Sequence, residues 1–359
     1  MNLSRYVSYS EQALRNGFAR GFDFLAITHQ LVLTQCSQEK AIVFDPTFIS
    51  KSGKKTDGIG YFWSGTSQKV MKGLEIGCLG VVDIINKTAF HLEAIQSPAS
   101  SERKKKGISL IEHYRDFLLE RIGMLKSISS YLLVDGYFMK KEFVLPIIKQ
   151  NLNVITKMRR DANLRYTFQG KQRSGRGRKK KYAGKVNLDK LDKSKWDKVF
   201  ETKTESCFTA ILYCITLKRN CRIVYLSNKE HHSYEVFLGT DDKMKAEKLL
   251  KYYRLRYQVE FLIRDAKQHA GLEDCQARDK MKLNFHFNLC LTNVSIAKAE
   301  YYLPIPIKER DSFSLQNIKR LQHNKLLTDL IFANLELDLN CKKIKQLYLE
   351  CINFGRMAA

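Results

Sequence analysis

The segment Tyr253-x2-Arg256-x3-Glu260-x6-Lys267, inside LLKYYRLRYQVEFLIRDAKQHAG, constrains this chain more than any other stretch. An α-helix turns about 100° per residue, so counted from Tyr253 the side chains of Arg256, Glu260 and Lys267 fall at roughly 300°, 340° and 320°. All four point the same way, within an arc of about 60°. Leu255, Val259, Leu262, Ile263, Ala266 and Ala270 form a second, apolar stripe centred near ~230°. One carboxylate, two cations and a phenol thus stand at the margin of a buried face. A carboxylate there can hold a cation, and the flanking Arg and Lys can hold phosphate.

The chain around this segment is strongly basic. Its 62 Lys+Arg outnumber 37 Asp+Glu, for a net charge of +25 over 359 residues. Such a surplus opposes compact folding by self-repulsion unless a polyanion neutralises it. Nucleic acid is the leading candidate partner, with affinity that falls steeply as salt rises. A membrane surface is disfavoured, because neither end carries a Lys-rich amphipathic helix with a clean apolar face. No run approaches the ~18 apolar residues of a membrane span, and MNLSRYVSYSEQ lacks the apolar core of a secretory signal. The nine cysteines form no C-x-x-C pair and are expected to be reduced thiols of a cytoplasmic protein. Cys207, Cys214 and Cys221 are expected to be packed strand cysteines rather than a zinc site, and Cys275, His286 and Cys290 likewise.

Along the chain, residues 9–36 show helical spacing. AIVFD then has the pattern of a buried strand delivering Asp45 at its C-terminal end. KSGKKTDGIG is a loop, and YFWSG, LEIGCLGVVDII and KTAFHLEAIQS are expected to form an antiparallel meander. SPASSERKKKG is expected to be a loop, and ISLIEHYRDFLLERIGML one amphipathic helix. YLLVDG repeats the earlier pattern, an apolar strand ending in Asp135. KKEFVLPIIKQN predicts a short helix interrupted at Pro146, and NVITKM another strand. From about 158 to 235 the chain turns basic, Gly-punctuated and β-rich; after Ala270 it is helical.

The order of elements predicts a mixed α/β architecture. The expected division is an N-terminal helical segment (1–38), the first part of a catalytic domain (39–157), a basic β-rich insertion (158–235), the second part of the catalytic domain (236–300) and a C-terminal helical region (301–359).

Phosphodiester cleavage needs an activated water or hydroxyl and a stabilised leaving oxygen, which two metal ions about 3.5–4 Å apart can supply. Hard Mg2+ takes oxygen ligands, usually a few carboxylates, with substrate phosphate and water completing its shell. Asp45, Asp135 and Glu260 suit that need. Singly, each has a commoner explanation: an N-cap or turn residue for either Asp, and half of an i,i+4 ion pair with Arg256 or Arg264 for Glu260. The joint pattern is what shifts the balance.

AIVFDPTFISKSGKKTDGIGYFWSG, YLLVDGYF and YYRLRYQVEFLIRDAKQHAGLEDCQARD resemble the three signature regions of the bacterial DDE transposases of the insertion-sequence-4 group. The resemblance covers about residues 40–300, and the Y-x2-R-x3-E-x6-K signature is complete in Tyr253, Arg256, Glu260 and Lys267. It implies a ribonuclease-H-like catalytic domain, with a mixed sheet, flanking helices and a β-rich insertion between the second Asp and the Glu. It implies Asp45, Asp135 and Glu260 as the catalytic, metal-binding triad for two Mg2+ ions (Mn2+ substituting), with Tyr253, Arg256 and Lys267 on the DNA backbone. The reaction implied is cut-and-paste transposition through a hairpin intermediate, by a homodimer on double-stranded DNA in the cytoplasm, at the bacterial nucleoid. The family also places an end-recognition domain ahead of the catalytic one; only about one helical unit precedes Asp45 here, so such a domain is expected to be short or missing.

Further candidate DNA contacts are Arg176, Arg178, Lys179, Lys180 and Lys181 in SGRGRKKKYAGK, and Lys51, Lys54 and Lys55 in the loop after Asp45. Arg103 to Lys106 read as a solvated run. Trp63 is a candidate for stacking on an extruded base, with core packing the commoner fate of such a residue. Two other functions remain open: a ribonuclease-H-like nuclease without strand transfer, and a decayed, non-catalytic DNA-binding derivative.

Overall fold

A single mixed sheet forms the spine of the molecule. The computed structural model describes residues 2–5, 7–172, 175 and 177–357. Two short helices, α1 (Glu11–Gly17) and α2 (Phe24–Gln35), lead into strand β1 (Lys40–Ser50). Strands β2 (Gly60–Ser64), β3 (Lys69–Asp83) and β4 (Thr88–Gln96) follow as the expected antiparallel meander. Helices α3 (Ser100–Lys106), α4 (Leu110–Glu120) and α5 (Ile122–Ile128) then carry the chain to β5 (Tyr131–Val134), which lies parallel to β1. Helix α6 (Lys141–Lys149) is the crossover to β6 (Asn153–Met158), parallel to β5.

The basic region contributes β7 (Leu164–Thr167), β8 (Tyr182–Lys185), β9 (Asp197–Glu201), β10 (Glu205–Cys214), β11 (Arg219–Asn228) and β12 (Ser233–Gly239). These strands extend the same sheet, in the order β2-β3-β1-β5-β6-β12-β11-β10-β7-β8, with β4 on β3 and β9 on β10. Cys207, Cys214 and Cys221 are buried on β10 and β11. Helices α7 (Ala246–Leu255), α8 (Gln258–His269), α9 (Lys280–Tyr301), α10 (Leu315–Asn334) and α11 (Lys342–Asn353) complete the chain.

The pleat sorts the strands between two cores. Ile42, Phe44, Leu132 and Val134 face a core shared with α4, α5 and α6, while Ala41, Val43, Leu133 and Ile155 face one shared with α7, α8 and α9. Gly77 is required where it stands: a Cβ there would meet the Phe44 ring at 2.4 Å and the Tyr114 ring at 2.9 Å.

Four local expectations need correction. SSERKKK is helix α3, not loop, closed by Gly107 in the left-handed region at φ 64°. The segment after Ser109 is two helices, because Arg121 leaves helical geometry at φ −104°, ψ 5°. Its guanidinium instead forks onto Glu93 and lies 4.0 Å over the Phe117 ring. Helix α6 runs through Pro146 unbroken. Proline removes the donor for the carbonyl four residues back, and Arg115 Nη1 donates to that carbonyl, Glu142 O, at 3.3 Å. The signature segment is not one helix but two, α7 and α8, parted at Arg256–Tyr257. Three tightened i→i−3 bonds span the break: Arg256 N to Tyr253 O at 3.0 Å, Val259 N to Arg256 O at 3.1 Å and Glu260 N to Tyr257 O at 2.9 Å.

Helix α9 is tied to β4 through buried polar groups. The His91 backbone N–H donates to Ser295 Oγ at 2.8 Å, and its ring Nε2 lies 3.1 Å from Asn288 Oδ1. Burial pushes the His91 imidazole down to about 4, against the hydrogen bond with Asn288, which favours the charged form. A histidine whose folded pKa is depressed takes up its proton later than the unfolded chain does. Its stabilising contribution is complete above the ordinary value of 6.5 and is lost as pH falls towards about 4. Denaturant titrations between pH 7 and 4 should show this loss, on the order of 3 kcal/mol, as an excess of native over His91→Gln; equal losses would remove His91 as the cause.

Candidate active site

The triad is assembled where the parallel strands end. Asp45 is not at the end of β1, as expected, but in its middle, because β3 offers partners from Lys40↔Asp83 to Ser50↔Gly73. What does end there is the pairing with β5, whose last parallel pair is Phe44↔Val134. Asp45 and Asp135 are therefore the next residues on two neighbouring parallel strands. Alternation from Val43 and Leu133 places both on the face packed by α8. Pro46 follows where β1 has lost its β5 neighbour, the edge-like setting in which a missing N–H is tolerated.

Helix α8 brings the third acid. Val259, Leu262 and Ala266 are fully buried against the sheet, which turns Glu260 in the first turn towards the acids. Arg256, at the break between α7 and α8, stands between them. Its Nη2 donates to Glu260 Oε1 at 2.7 Å, and its Nη1 lies 3.3 Å from Asp45 Oδ1. That Nη1 is buried and makes no hydrogen bond, so one donor of the fork is unspent beside the acids. The Arg256 side chain is only 13% exposed. Burial works against its charge, yet Asp45 first, then Tyr253, Glu260 and Asp135, hold its pKa above the ordinary value.

Asp45 experiences the reverse balance. Burial raises its carboxyl to about 7; Arg256 opposes that rise, while Glu260 and Asp135 add to it. Behind Asp45, its strand partner Cys78 has Sγ 3.7 Å from His91 Nδ1. Asp135 is fixed through its carbonyl, which accepts from Thr156 Oγ1 at 3.0 Å.

Asp45, Asp135, Glu260 and Lys267 line one cleft of about 1080 Å³, whose walls also include Tyr61, Trp63, Arg103 and Tyr137. Lys267 Nζ is held inside, 2.5 Å from Phe48 O and 3.2 Å from Glu273 Oε1. Tyr253 packs on Phe237 at 4.8 Å, and its hydroxyl is pushed up to about 12 by burial. The donor set is all oxygen, which suits a hard divalent cation. Among the described residues, however, no three His, Cys, Asp or Glu side chains lie close enough to form a ready cage. Mg2+ is commonly bound through one or two carboxylates plus substrate phosphates, so the set still fits that ion.

The other candidates are scattered. Half-buried Lys51 donates through Nζ to Cys275 O, while Lys54 and Lys55 are exposed on the loop after β1. Arg178, Lys179 and Lys180 are exposed between β7 and β8, at the far end of the sheet, and Arg176 lies outside the described residues. Five strand spacings separate β5 from β7, roughly 24 Å. Sequence reasoning missed Arg103, read as part of a solvated run, and Tyr61 and Tyr137. The one legible sign was YFW itself, apolar on both faces of a strand that can bury only one.

Residues 87–294 match the family described as the transposase DDE domain, a span of more than half of the chain. The chain belongs to the DDE transposase family. The matched span contains Asp135 and Glu260 and begins after Asp45. Membership makes this protein a transposase and implies that it binds DNA. No curated protein matches the chain, and among the described residues no helix is long and apolar enough to cross a membrane.

The ion-pair geometry has a direct test in metal-free transposase. Arg256→Gln removes the one neighbour that lowers the Asp45 pKa, so the Asp45 titration should move above about 7; Glu260→Gln should move it down. Carboxyl-carbon NMR reads both midpoints, and an unmoved midpoint in Arg256→Gln would show that Arg256 is not the counter-ion.

Proposed function

We propose that this transposase excises and inserts DNA by a cut-and-paste route on a ribonuclease-H-like catalytic domain of the insertion-sequence-4 type. What carries the reading is the convergence of Asp45, Asp135 and Glu260 on one cleft, with a buried arginine between two of them. The sheet is compatible with that fold: an antiparallel meander continued by two parallel strands, with the acids at their carboxyl ends.

Asp45, Asp135 and Glu260 would hold two Mg2+ ions, or Mn2+ in their place, and such ions would supply Lewis-acid stabilisation of charge at the scissile phosphate. The chain's own residues position the DNA. Arg256 exchanges its carboxylate partners for a phosphate oxygen, using the Nη1 that has no hydrogen bond. Lys267 and Tyr253 flank that contact. Water frees a 3′-hydroxyl at the element end, which attacks the opposite strand to give a hairpin; after reopening, the 3′ end joins target DNA. In the hydrolytic steps water forms the new P–O bond as the P–O3′ bond breaks, and a proton ends on the released 3′-oxygen; in the transfer steps a 3′-hydroxyl replaces the 3′-oxygen of the attacked strand in the same way, so no protein nucleophile is needed. Dimerisation on the paired ends fits this sequence of steps.

Purified protein, Mg2+ and DNA carrying the inverted repeats that flank its coding region provide the test. Native protein should yield joined products, and Asp45→Asn, Asp135→Asn and Glu260→Gln should each lose at least about 10²-fold in rate. Full activity in any of the three would refute the triad. Cleavage without joined products would point instead to a hydrolytic nuclease, and DNA binding without cleavage to a non-catalytic derivative.

A further inference from the structure

Strand β2 carries large aromatic side chains on the wrong side for a core. Tyr61 is 69% exposed and Trp63 59%, while Phe62 between them is 5% exposed. The strand therefore buries one face fully and presents aromatic rings on the other. The only other tryptophan, Trp196, is 6% exposed, with its indole N–H donating to Tyr166 Oη at 3.1 Å. Exposed rings on an edge strand are a liability that proteins normally blunt, so these two need a reason.

Register shows where the rings point. Tyr61 pairs with Lys72 and Trp63 with Val70. Along β3, residues 70 and 72 share a face with Leu74, Ile76 and Cys78, and Cys78 is the partner of Asp45. Tyr61 and Trp63 thus rise from the same face of the sheet as Asp45, and both line the cleft that holds the three acids. The same face carries a cation beside the rings: Lys72, opposite Tyr61, is exposed and in no ion pair among the described residues.

We propose that the Tyr61–Trp63 ledge is a stacking site for unpaired nucleobases of the DNA strand entering the cleft. Every base offers a π-face, so such a ledge is tolerant of sequence, and the neighbouring Lys72 takes a phosphate beside the stacked bases. In duplex DNA the faces are already stacked on one another, so the ledge selects frayed or single-stranded ends. A second copy adding a strand to β2 is the competing occupant. The strand is only five residues long, paired with a β3 segment that carries Lys72, and set beside the acids, which favours the nucleic acid. The position of the ledge beside the reacting phosphate rests on the transposase reading; its binding chemistry does not.

Fluorescence of the full chain in EDTA tests this, because Trp63 and the buried Trp196 report separately. A single-stranded oligonucleotide, and a duplex with an unpaired end, should quench native emission, while a blunt duplex quenches it far less. Trp63→Phe should abolish the quenching. Tyr61→Ala with Trp63→Ala should weaken binding of single-stranded DNA by roughly tenfold or more and leave blunt-duplex affinity nearly unchanged. Unaltered Trp196 emission and melting temperature would show that the variants are folded. Equal quenching by both DNA forms, unchanged single-strand affinity in the double variant, or quenching that follows protein concentration without DNA would each overturn the ledge. Loss of cleavage in the triad variants with no Trp63 quenching would sink the ledge alone. Quenching by a native chain that never cleaves would sink only the catalytic reading.

Discussion

The arrangement of this protein turns on one buried guanidinium. Asp45 and Glu260 come from two elements packed on one another, a central strand and a helix laid across it, and Arg256 is the charge that pairs with both. Removing the Asp45 carboxylate from water beside a second, half-exposed acid is unfavourable unless its charge is met by a well-placed partner. Arg256 meets it at the short 3-10 passage between α7 and α8. Without that tightening, the residue would continue α7 and aim elsewhere. The passage is held by burial on either side, with Leu249 and Leu250 before it and Val259 and Leu262 after it.

Support for the acids runs through the whole thickness of the molecule. Asp45 pairs with Cys78, Cys78 reaches His91, and His91 meets Asn288 of α9. Asn288 Oδ1 also accepts from the Ala94 backbone at 2.7 Å. A strand carrying a candidate catalytic side chain is thereby pinned by groups that must stay neutral and hydrogen-bonded. On the other face, Tyr114 donates to Glu75 at 2.7 Å beneath the same cleft. Both faces of β3 thus carry satisfied polar networks. Those networks are specific in a way that apolar packing alone is not, because a shifted register would leave every member unpaired.

Much of this was legible in the chain. AIVFD and YLLVD announced two buried strands, and the apolar stripe from Val259 to Ala266 announced the helix face whose packing sets Glu260 at the margin of the cleft. What was not legible came from distant partners. Nothing around Asp45 says that β3 will pair with β1 through Ser50 and leave the acid mid-strand. Pro146 marked a break that Arg115, thirty-one residues earlier, makes unnecessary. The 3-10 passage at Arg256 is hidden because its residues keep good helical propensity, and angular counting assumes an unbroken helix. Exposure of Trp63 was equally hidden, since a tryptophan in an alternating strand predicts burial unless the sheet ends beside it.

The site is incomplete by construction, and that bears on how a chain with a net charge of +25 handles its substrate. Within the cleft, the acids hold Arg256 as an internal counter-ion, and Lys267 is committed to Phe48 O and Glu273. The described carboxylates form no ready three-ligand cage. A hard cation that takes part of its shell from substrate phosphate would therefore bind best when DNA is already present. The same DNA would offer Arg256 a new anionic partner as the acids acquire a new cation. Each exchange makes the other more favourable, which is the reciprocity required of coupled binding. Charge on the outside gathers the polyanion without regard to sequence, while charge on the inside is balanced until the polyanion arrives.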